Sequence, residues 1–326
     1  MRVLVTGGAG YIGSHTAKAL ALAGYEPVIL DDFSSGHRWA VKWGTIAEGS
    51  LADCNLLHKV FHEIRVDAVI HFAGVIQVGE SMRDPQKYFW SNGVNTLKLL
   101  DAMRAAEVKH VVFSSSAAVY GDPEVVPIPE DHPARPVSPY GESKLFVERV
   151  LRWYGLAYGV RWMALRYFNA CGASPDGDLG ESHHPESHLI PLVIAAAMGR
   201  RPSVEIYGTD YPTTDGTAIR DYIHVLDLAE AHLRALRRLL DGSESYALNL
   251  GTGHGHTVRE VIDAVTEISG VTSLPIRHAP RRPGDSPSLV ADPSLAQKVL
   301  QWTPQHSSLE EIVRSAWQWH KVAASE

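Results

Sequence analysis

The sequence has few cysteines, no long apolar run and no excess of positive charge, and each shortage excludes a class of protein. Its 326 residues include two cysteines, Cys54 and Cys171, with no CxxC pair. This excludes a disulfide framework or a zinc ribbon and indicates a reducing compartment. A formal net charge of -7 argues against a general binder of nucleic-acid backbones. No stretch approaches the roughly 20 apolar residues of a membrane span, and no signal-peptide pattern is present. We therefore expect a cytoplasmic protein with no nucleic-acid or membrane partner.

Short apolar runs alternate with helical patterns in the first half of the chain. Five continuously apolar runs predict buried strands at 3–5, 28–30, 68–72, 111–113 and 163–165. Apolar positions at helical spacing over 12–23 and 94–106 predict helices between strands. The alternation is typical of an α/β fold, a Rossmann-type doubly wound parallel sheet with helices on both faces.

The pattern changes after Asn169. Residues 171–191 are rich in Gly, Pro, Asp, Ser and His, which predicts a long loop of the kind that is usually functional. Further patterns predict helices at 189–198 and 225–240, strands at 204–207 and 246–250, and two helices after 257. We expect two interleaved domains, the larger from residues 1–170 and 221–250 and a smaller C-terminal one from 171–220 and 251–326.

A glycine-rich turn follows the first predicted strand. Gly7, Gly10 and Gly13 satisfy GxxGxxG, and Gly8 with the last two satisfies GxGxxG. Glycines there let backbone N–H groups approach a pyrophosphate at a helix N-terminus. Asp31 ends the second strand, where a carboxylate can bind ribose hydroxyls and repel a 2′-phosphate. Together these features predict an NAD site rather than an ordinary strand–helix turn.

A serine, a tyrosine and a lysine have the spacing of a proton-transfer group. Ser116 is the last of three serines after the fourth strand, and Tyr140 and Lys144 lie four apart, on one face of a predicted helix. The lysine ammonium and the positive nicotinamide of NAD⁺ would lower the phenol pKa from about 10. Tyr140 could then take a proton from a substrate hydroxyl while hydride leaves the same carbon. YxxxK alone is common on helix surfaces, so this interpretation depends on the glycine motif.

Longer motifs carry a resemblance to a known family. TGGAGYIGSH, SSSAAVYGD and YGESK resemble the extended short-chain dehydrogenase/reductases. More narrowly, the chain resembles the UDP-glucose 4-epimerases through HFAGVIQVGES (71–81), LRYFNACGA (165–173), DGTAIRDYIHVLDLA (215–229) and APRRPGD (279–285). The likeness covers nearly the whole chain. It implies NAD-dependent inversion of C4 of a UDP-hexose through a 4-keto sugar, with tightly held NAD.

The resemblance also implies roles for individual residues. The implied catalytic residues are Ser116, Tyr140 and Lys144. The implied NAD-binding residues are Gly7, Gly10, Tyr11, Ile12, Gly13, Asp31, Ser50, Leu51, Phe72, Ala73, Gly74, Asn92, Ser114, Tyr140, Lys144 and Tyr167. The implied residues for the UDP-sugar are Ser116, Tyr140, Phe168, Asn169, His188, Leu189, Tyr207, Arg220, Arg282, Asp285 and Leu289. The larger domain would then bind NAD and the smaller one the nucleotide sugar, and two copies would pair as a homodimer through the helices of Asn92 and Tyr140. Arginine also fits a diphosphate on chemical grounds, as a forked, permanently charged donor.

The sequence departs from the family pattern at three positions. Ser50 stands where the family commonly has an aspartate that contacts adenine, and Ile76 replaces a lysine that some members carry. Leu289 occupies the pocket-gate position, where some bacterial members have tyrosine and animal enzymes a smaller residue. Because leucine lacks the bulk of tyrosine, we expect some tolerance of N-acetylated sugars.

Several alternatives stay open at this point. A 4,6-dehydratase would carry an acidic pair where this chain has Ala117 and Ala118. Decarboxylation, or epimerisation of UDP-glucuronate, a UDP-pentose or a UDP-N-acetylhexosamine, remains compatible with the sequence, as does a catalytically silent NAD-sensing module. His183, His184 and His188 suggest a metal site, but they lie in a predicted loop without an evident second set of ligands, so no metal is predicted.

Overall fold

The computed structural model describes residues 1–282 and 285–322, with a parallel seven-stranded sheet at its centre. The strands of that sheet are β1 (Arg2–Thr6), β2 (Glu26–Asp31), β3 (Thr45–Glu48), β4 (Ala68–His71), β5 (His110–Ser116), β6 (Arg161–Tyr167) and β11 (Tyr246–Leu250). The shorter strands are β7 (Asn169–Cys171), β8 (Val204–Tyr207), β9 (Ile219–Arg220), β10 (Tyr222–His224), β12 (His256–Thr257), β13 (Ile276–Ala279) and β14 (Ser288–Leu289). The spatial order of the large sheet is β11-β6-β5-β4-β1-β2-β3, so the strand order reverses between β1 and β4.

Eleven α-helices connect these strands within the described residues. They are α1 (Tyr11–Leu22), α2 (Cys54–Lys59), α3 (Val78–Ser81), α4 (Pro85–Tyr88), α5 (Asn95–Ala105), α6 (Pro139–Tyr158), α7 (Leu189–Ala197), α8 (Val225–Leu240), α9 (Val258–Ser269), α10 (Ser294–Leu300) and α11 (Leu309–Val322). Single turns of 3₁₀ helix cover Arg38–Ala40 and Ala117–Val119, and π-helical turns cover Val60–Ile64 and Phe89–Val94. No helix within 1–282 or 285–322 is both long enough and apolar enough to cross a membrane.

Apolar side chains cover both faces of the sheet. On one face, β1, β4 and β6 pack against α1 and α8 through buried residues such as Val5, Leu20 and Leu236. On the other, Leu4, Leu99 and Leu151 belong to the core formed with α5 and α6. Strands buried on both sides have continuous apolar runs, because neither face meets water. The doubly wound α/β fold predicted from those runs is confirmed.

A second, smaller core lies beyond the sheet. It contains α7, α9 and α11 with β8 and β10, joined by residues such as Val193, Val261 and Ile312. α10 instead packs in the core of the large sheet through Val299 and Leu300, beside α8, although the sequence-based division assigned it to the smaller domain. Pro283 and Gly284 of the APRRPGD motif lie outside the described residues.

A buried polar network holds α6 against the sheet. Glu148 on α6 accepts two hydrogen bonds from Arg166 on β6, at 2.9 Å and 2.6 Å, and a third from Ser115 on β5. Arg166 also donates to the Tyr120 hydroxyl at 2.8 Å, and that hydroxyl donates to Asn249 at 2.7 Å. A buried ion pair whose remaining polar atoms are also satisfied fixes one arrangement of its helix. α6 carries Tyr140 and Lys144, so the network positions both residues.

Candidate active site

The glycine turn lies where the strand order of the sheet reverses. Gly7 has φ +69°, and a Cβ on it would lie 2.7 Å from the Ala73 nitrogen. A Cβ on Gly13 would lie 2.2 Å from the carbonyl oxygen of Gly7, so neither position accepts a side chain. Gly10 precedes α1 and has no side chain to cap it, which leaves the first N–H groups of the helix for an anion. The crevice outside the carboxyl ends of the strands at such a reversal is the usual site for a nucleotide.

Asp31, at the end of β2, stabilises the glycine turn through hydrogen bonds. One carboxylate oxygen accepts the N–H of Ala9 and the other accepts the N–H of Phe33, both at 2.9 Å. Burial raises the pKa of the carboxyl above its usual range, although these hydrogen bonds oppose the rise. A carboxylate has about four acceptor sites, so two remain for ribose hydroxyls. Stabilising the glycine turn is a second role of Asp31 that the sequence did not indicate.

The segment after β4 closes the other side of the turn. The N–H groups of Phe72 and Ala73 both donate to the carbonyl of Thr6, at 2.9 Å and 3.1 Å. A Cβ on Gly74 would lie 2.7 Å from the amide oxygen of Asn92. Phe72 and Ala73, both predicted to line the NAD site, are therefore held against the end of β1, and Gly74 lies against Asn92. Ser50 and Leu51 follow β3 near the far edge, where Leu51 is buried.

The buried Asn92 amide joins this segment to α6. It accepts the N–H of Val75 at 2.8 Å and donates to the Val75 carbonyl and to the Ser143 hydroxyl, both at 3.0 Å. The Ser143 hydroxyl donates in turn to the carbonyl of Tyr140 at 2.7 Å. Asn92 therefore sets the distance between the predicted cofactor segment and the predicted catalytic helix. Ser143 is a positioning residue that the sequence motifs did not single out.

Lys144 and Tyr140 lie together below the end of β5. The Lys144 ammonium donates to the Ser114 carbonyl at 2.8 Å and lies 5.8 Å from the centroid of the Tyr140 ring. Burial lowers the pKa of Lys144 to about 8, partly opposed by the charge of Glu148. Ser116 accepts the N–H of Ala118 at 3.2 Å, which leaves its hydroxyl hydrogen to donate. The structure thus brings the three predicted catalytic residues into one group.

The phenol of Tyr140 differs from the sequence-based expectation in one respect. Burial raises its pKa above the ordinary value, and a hydrogen bond from Ser116 only partly opposes that rise. The Lys144 ammonium is engaged by a backbone carbonyl rather than by the phenol. In the protein alone, burial therefore outweighs the hydrogen bond and the pKa of Tyr140 is raised. The lower pKa that the sequence predicts would require the positive charge of the nicotinamide ring. Tyr167, also predicted to bind NAD, shares a hydrogen bond with the Ser114 hydroxyl.

Two residues predicted to contact the sugar pack on one apolar cluster beside Ser116. Phe168 and Leu289 both lie against the cluster that includes Ala117, Val119 and Tyr120. Leu289 lies on β14, in register with Arg220 on β9. These pairings bring the predicted sugar contacts and one predicted diphosphate contact to the same end of the sheet.

The predicted diphosphate residues also lie in pairs. Arg220 forms an ion pair with Asp285 and is mostly buried, and the Arg282 guanidinium carbon lies 3.9 Å from the centroid of the Tyr207 ring. Arg281, which is not among the predicted UDP-sugar contacts, is half-exposed and pairs with Asp210. In each pair the neighbouring side chain orients the guanidinium. A planar, permanently charged group held in this way can donate two parallel hydrogen bonds to a phosphate.

Asp221 is a buried acidic residue whose contacts the sequence motifs did not indicate. Its buried carboxylate accepts hydrogen bonds from Thr252, Gly253 and Ala291. Its carbonyl accepts the N–H of Asn169 at 3.0 Å, and its own N–H donates to the Leu289 carbonyl at 3.0 Å. Asp221 thereby fixes two predicted substrate contacts. The Arg-Asp-Tyr sequence was the available signal, but only its arginine was interpreted.

The histidines of the long loop have partners that the sequence did not reveal. His188, at the start of α7 next to Leu189, has its Nδ1 atom 2.8 Å from Glu181 and 2.9 Å from Glu186. His183 lies 3.1 Å from Glu181. Burial lowers the histidine pKa values, but the hydrogen bonds and charges of the two glutamates outweigh it and raise them to about 9 for His183 and about 10 for His188. The expectation that no second set of ligands accompanies these histidines was wrong, because the loop folds back on itself.

Comparison with known proteins shows the family to which the chain belongs. Residues 3–251 match the protein family described as the NAD dependent epimerase/dehydratase family. The chain belongs to this family. The match covers the glycine turn, the Tyr140–Lys144 pair and the Arg220 strand, and it confirms both the predicted resemblance and the predicted cofactor.

Relatives of this epimerase/dehydratase match over their full length. A UDP-glucose 4-epimerase of Rhizobium leguminosarum bv. trifolii is 51% identical over 318 residues, covering 98% of this chain and 97% of that one. The crystal structure of UDP-glucose 4-epimerase from Brucella ovis in complex with NAD has a TM-score of 0.95 and 48% identity, covering 98% of both chains. That from Bifidobacterium longum in complex with NAD⁺ and UDP has a TM-score of 0.94 and 39% identity, covering 99% of both.

Proposed function

We propose that the protein is an NAD-dependent UDP-glucose 4-epimerase, which interconverts UDP-glucose and UDP-galactose by inverting the sugar at C4. The observation that carries this proposal is the grouping of Ser116, Tyr140 and Lys144 at the strand ends. They lie next to a turn whose glycines have no space for side chains. Full-length relatives named as UDP-glucose 4-epimerases support it. They do not favour a silent NAD sensor, and Ala117 and Ala118 do not supply the acid that a dehydratase needs.

The residues of the crevice fit NAD. The cofactor would supply hydride transfer and the protein would supply proton transfer. Gly7 and Gly13 have no space for side chains, so the backbone of this turn would be free to bind a pyrophosphate, and Asp31 retains acceptor sites that would hold the adenosine ribose. NAD supplies a reversible hydride acceptor for C4 of the sugar. Tyr140 takes the proton of the 4-hydroxyl as that hydride leaves, and it returns the proton when the opposite face of C4 is reduced.

The nucleotide has to stay bound while the 4-keto sugar turns over. We assign Arg220 and Arg282 to the diphosphate, since both are held by neighbouring side chains and each offers forked donors. Asn169, Tyr207 and Asp285 complete the uridine diphosphate side in this proposal. In this proposal Ser116, Tyr140 and the apolar surface of Phe168 and Leu289 contact the sugar, while the nucleotide carries the charged contacts.

The two functions map onto two interleaved parts of the chain. We propose that residues 1–170 and 221–250 bind NAD and that residues 171–220 and 251–326 bind the nucleotide sugar. The large sheet core and the separate core of α7, α9 and α11 support this division. α10 is the exception, because it packs on the NAD-binding side.

We also propose that two copies pair through α6 and the π-helical turn Phe89–Val94. Trp90, Trp153 and Leu156 are 56%, 68% and 71% exposed. Phe146 is exposed on the same helix, one side of its ring against Gly93 of the turn. An exposed apolar stripe over two adjacent helices suits a two-fold interface, where the same surface of both copies meets.

The homodimer proposal predicts that light scattering gives twice the chain mass for the wild type. Trp153→Glu places a charge in the stripe and is expected to give the mass of one chain. Retention of the dimer by the variant, or a wild type of one chain mass, contradicts this interface.

A turnover experiment tests the proposed reaction. Purified protein is incubated with UDP-galactose without added NAD, and the anomeric proton signals are followed by NMR. UDP-glucose is the expected product. If none forms even with NAD supplied, the UDP-hexose assignment fails, and UDP-glucuronate, UDP-pentoses and N-acetylated UDP-sugars are the substrates to test next.

Leu289 is expected to determine whether N-acetylated sugars are accepted. Leu289 packs against the same apolar cluster as Phe168 and lacks the bulk of tyrosine, so the wild type is expected to turn over UDP-N-acetylglucosamine. Leu289→Tyr adds bulk, and overpacking of about 1–3 kcal/mol should lower that turnover by about 5- to 150-fold while UDP-galactose turnover changes little. Rates for both substrates check the prediction. An inactive wild type towards UDP-N-acetylglucosamine refutes it.

A further inference from the structure

The long loop between β7 and α7 crosses the outer side of the glycine turn. The Tyr11 hydroxyl donates to the Gly172 carbonyl at 2.6 Å, and Nε2 of His37 lies 2.8 Å from the Ser182 carbonyl. Trp319 on α11 donates to the Glu181 carbonyl at 3.0 Å. The loop is therefore attached to the first helix, to the segment after β2 and to the last helix.

Four side chains of this loop converge on one point. One ligand atom each from Glu181, His183, Glu186 and His188 lies within 4.8 Å of all the others. The measured nitrogen–oxygen distances are 2.8, 2.9, 3.1 and 3.8 Å. Glu181 is only 5% exposed, so the cluster is largely closed to water on one side. None of the four side chains takes part in the proposed proton transfer of Tyr140.

The hydrogen bonds of this cluster are shared among its members. Nδ1 of His188 has two carboxylate oxygens at hydrogen-bond distance, although a ring nitrogen carries at most one proton. The same Oε1 atom of Glu186 already accepts the N–H groups of Ser187 at 2.6 Å and His188 at 2.8 Å. These two backbone donors orient the carboxylate, as is usual for a metal ligand. The two carboxylates therefore meet at one imidazole nitrogen, as the ligands of a single ion do.

We propose that Glu181, His183, Glu186 and His188 form a binding site for a divalent transition-metal ion of the zinc type. Two imidazole nitrogens and two carboxylate oxygens are a ligand set that suits Zn²⁺. Ligands about 2.0–2.1 Å from a tetrahedral ion lie about 3.3 Å from one another, and the four measured distances lie on both sides of that value. The ion replaces the protons between the nitrogens and the carboxylates.

Such an ion would fasten the loop over the glycine turn. The Tyr11 and His183 rings are perpendicular to each other, with their centroids 6.3 Å apart, and Tyr11 follows Gly10 directly. The ion also links residue 181 to the start of α7. Its role is to hold the loop closed, not to contact the reacting atoms.

Metal analysis of the full-length, tag-free protein tests the site. The protein is treated with a chelator, gel-filtered, incubated with excess ZnCl₂ and gel-filtered again before zinc is measured by mass spectrometry. We expect one zinc ion per chain. We also expect the midpoint of thermal unfolding to rise by about 2 °C or more, because the ion binds only the folded chain.

Variants of the loop decide whether the zinc lies in this cluster, since the chain has 17 histidines. His183→Ala and the isosteric Glu186→Gln are each expected to lose the bound zinc and the thermal shift. His184→Ala, which changes the exposed neighbour outside the cluster, is expected to keep both. The proposal is overturned if the wild type binds no more zinc than Glu186→Gln, or if His184→Ala loses as much as His183→Ala.

Discussion

Tyr140→Phe is expected to lower kcat about 10³-fold while the fold and the NAD content stay unchanged. The substitution removes the hydroxyl that accepts the proton of the sugar 4-hydroxyl, and a positioned acid–base group contributes about 10²- to 10⁴-fold. The ring remains, so its packing beside Tyr88 is kept. Initial rates of UDP-galactose conversion, with the NAD absorbance of the purified protein, measure both quantities.

Tyr154→Phe is the matched control for that substitution. Tyr154 lies on the same helix, and its hydroxyl donates to Asp101 at 3.0 Å, away from the strand ends. The control is expected to keep wild-type turnover within about a factor of two, as a surface substitution away from the site. If Tyr140→Phe retains more than a tenth of the activity, Tyr140 is not the base.

Lys144→Met is expected to abolish most turnover and yet to stabilise the protein at neutral pH. Burial lowers the pKa of Lys144 from 10.5 to about 8, so at pH 7 folding carries the cost of a buried charge. At 1.36 kcal/mol per pKa unit the gain is at most about 3 kcal/mol, reduced by about 1 kcal/mol for the lost hydrogen bond to Ser114. Denaturant unfolding of both proteins at pH 7 measures the gain.

The pH dependence of the stability difference between Lys144→Met and the wild type distinguishes the effect of the buried charge from an effect of packing. Between pH 8 and 10.5 the unfolded chain holds a proton on Lys144 that the folded chain has released, so the wild type gains stability as the pH rises. The advantage of Lys144→Met is therefore expected to be full below pH 8 and to shrink towards pH 10. A variant that is less stable than the wild type by the same amount at pH 7 and pH 10 contradicts the buried-charge account.

Local sequence patterns predicted the parts of the fold and site that depend on neighbouring residues. The first strand, the glycine turn and the following helix form one continuous pattern, and Tyr140 and Lys144 share a helix face through their spacing alone. β3 was missed because this edge strand is largely exposed and lacks an apolar run. Strand and helix periodicities report burial, and a short exposed strand offers none.

Contacts between distant segments could not be read from the sequence. The Arg220–Asp285 pair joins residues 65 positions apart, and the Asn92–Ser143 hydrogen bond joins residues 51 positions apart. Glu181 and Glu186 are close in sequence to His183, but their convergence depends on a loop without periodicity. The pKa of Tyr140 likewise depends on burial by the whole fold rather than on the lysine that its motif contains.

An isotope experiment tests most directly the claim that C4 is inverted by hydride transfer to and from a retained cofactor. UDP-galactose carrying deuterium at C4 is incubated in ordinary water with the purified protein and no added NAD, and the UDP-glucose formed is examined by NMR and mass spectrometry. The account predicts that the deuterium is retained at C4 of the product, because the same hydride is removed and returned. Product with hydrogen from water at C4 would contradict it, since that result requires removal of C4–H as a proton.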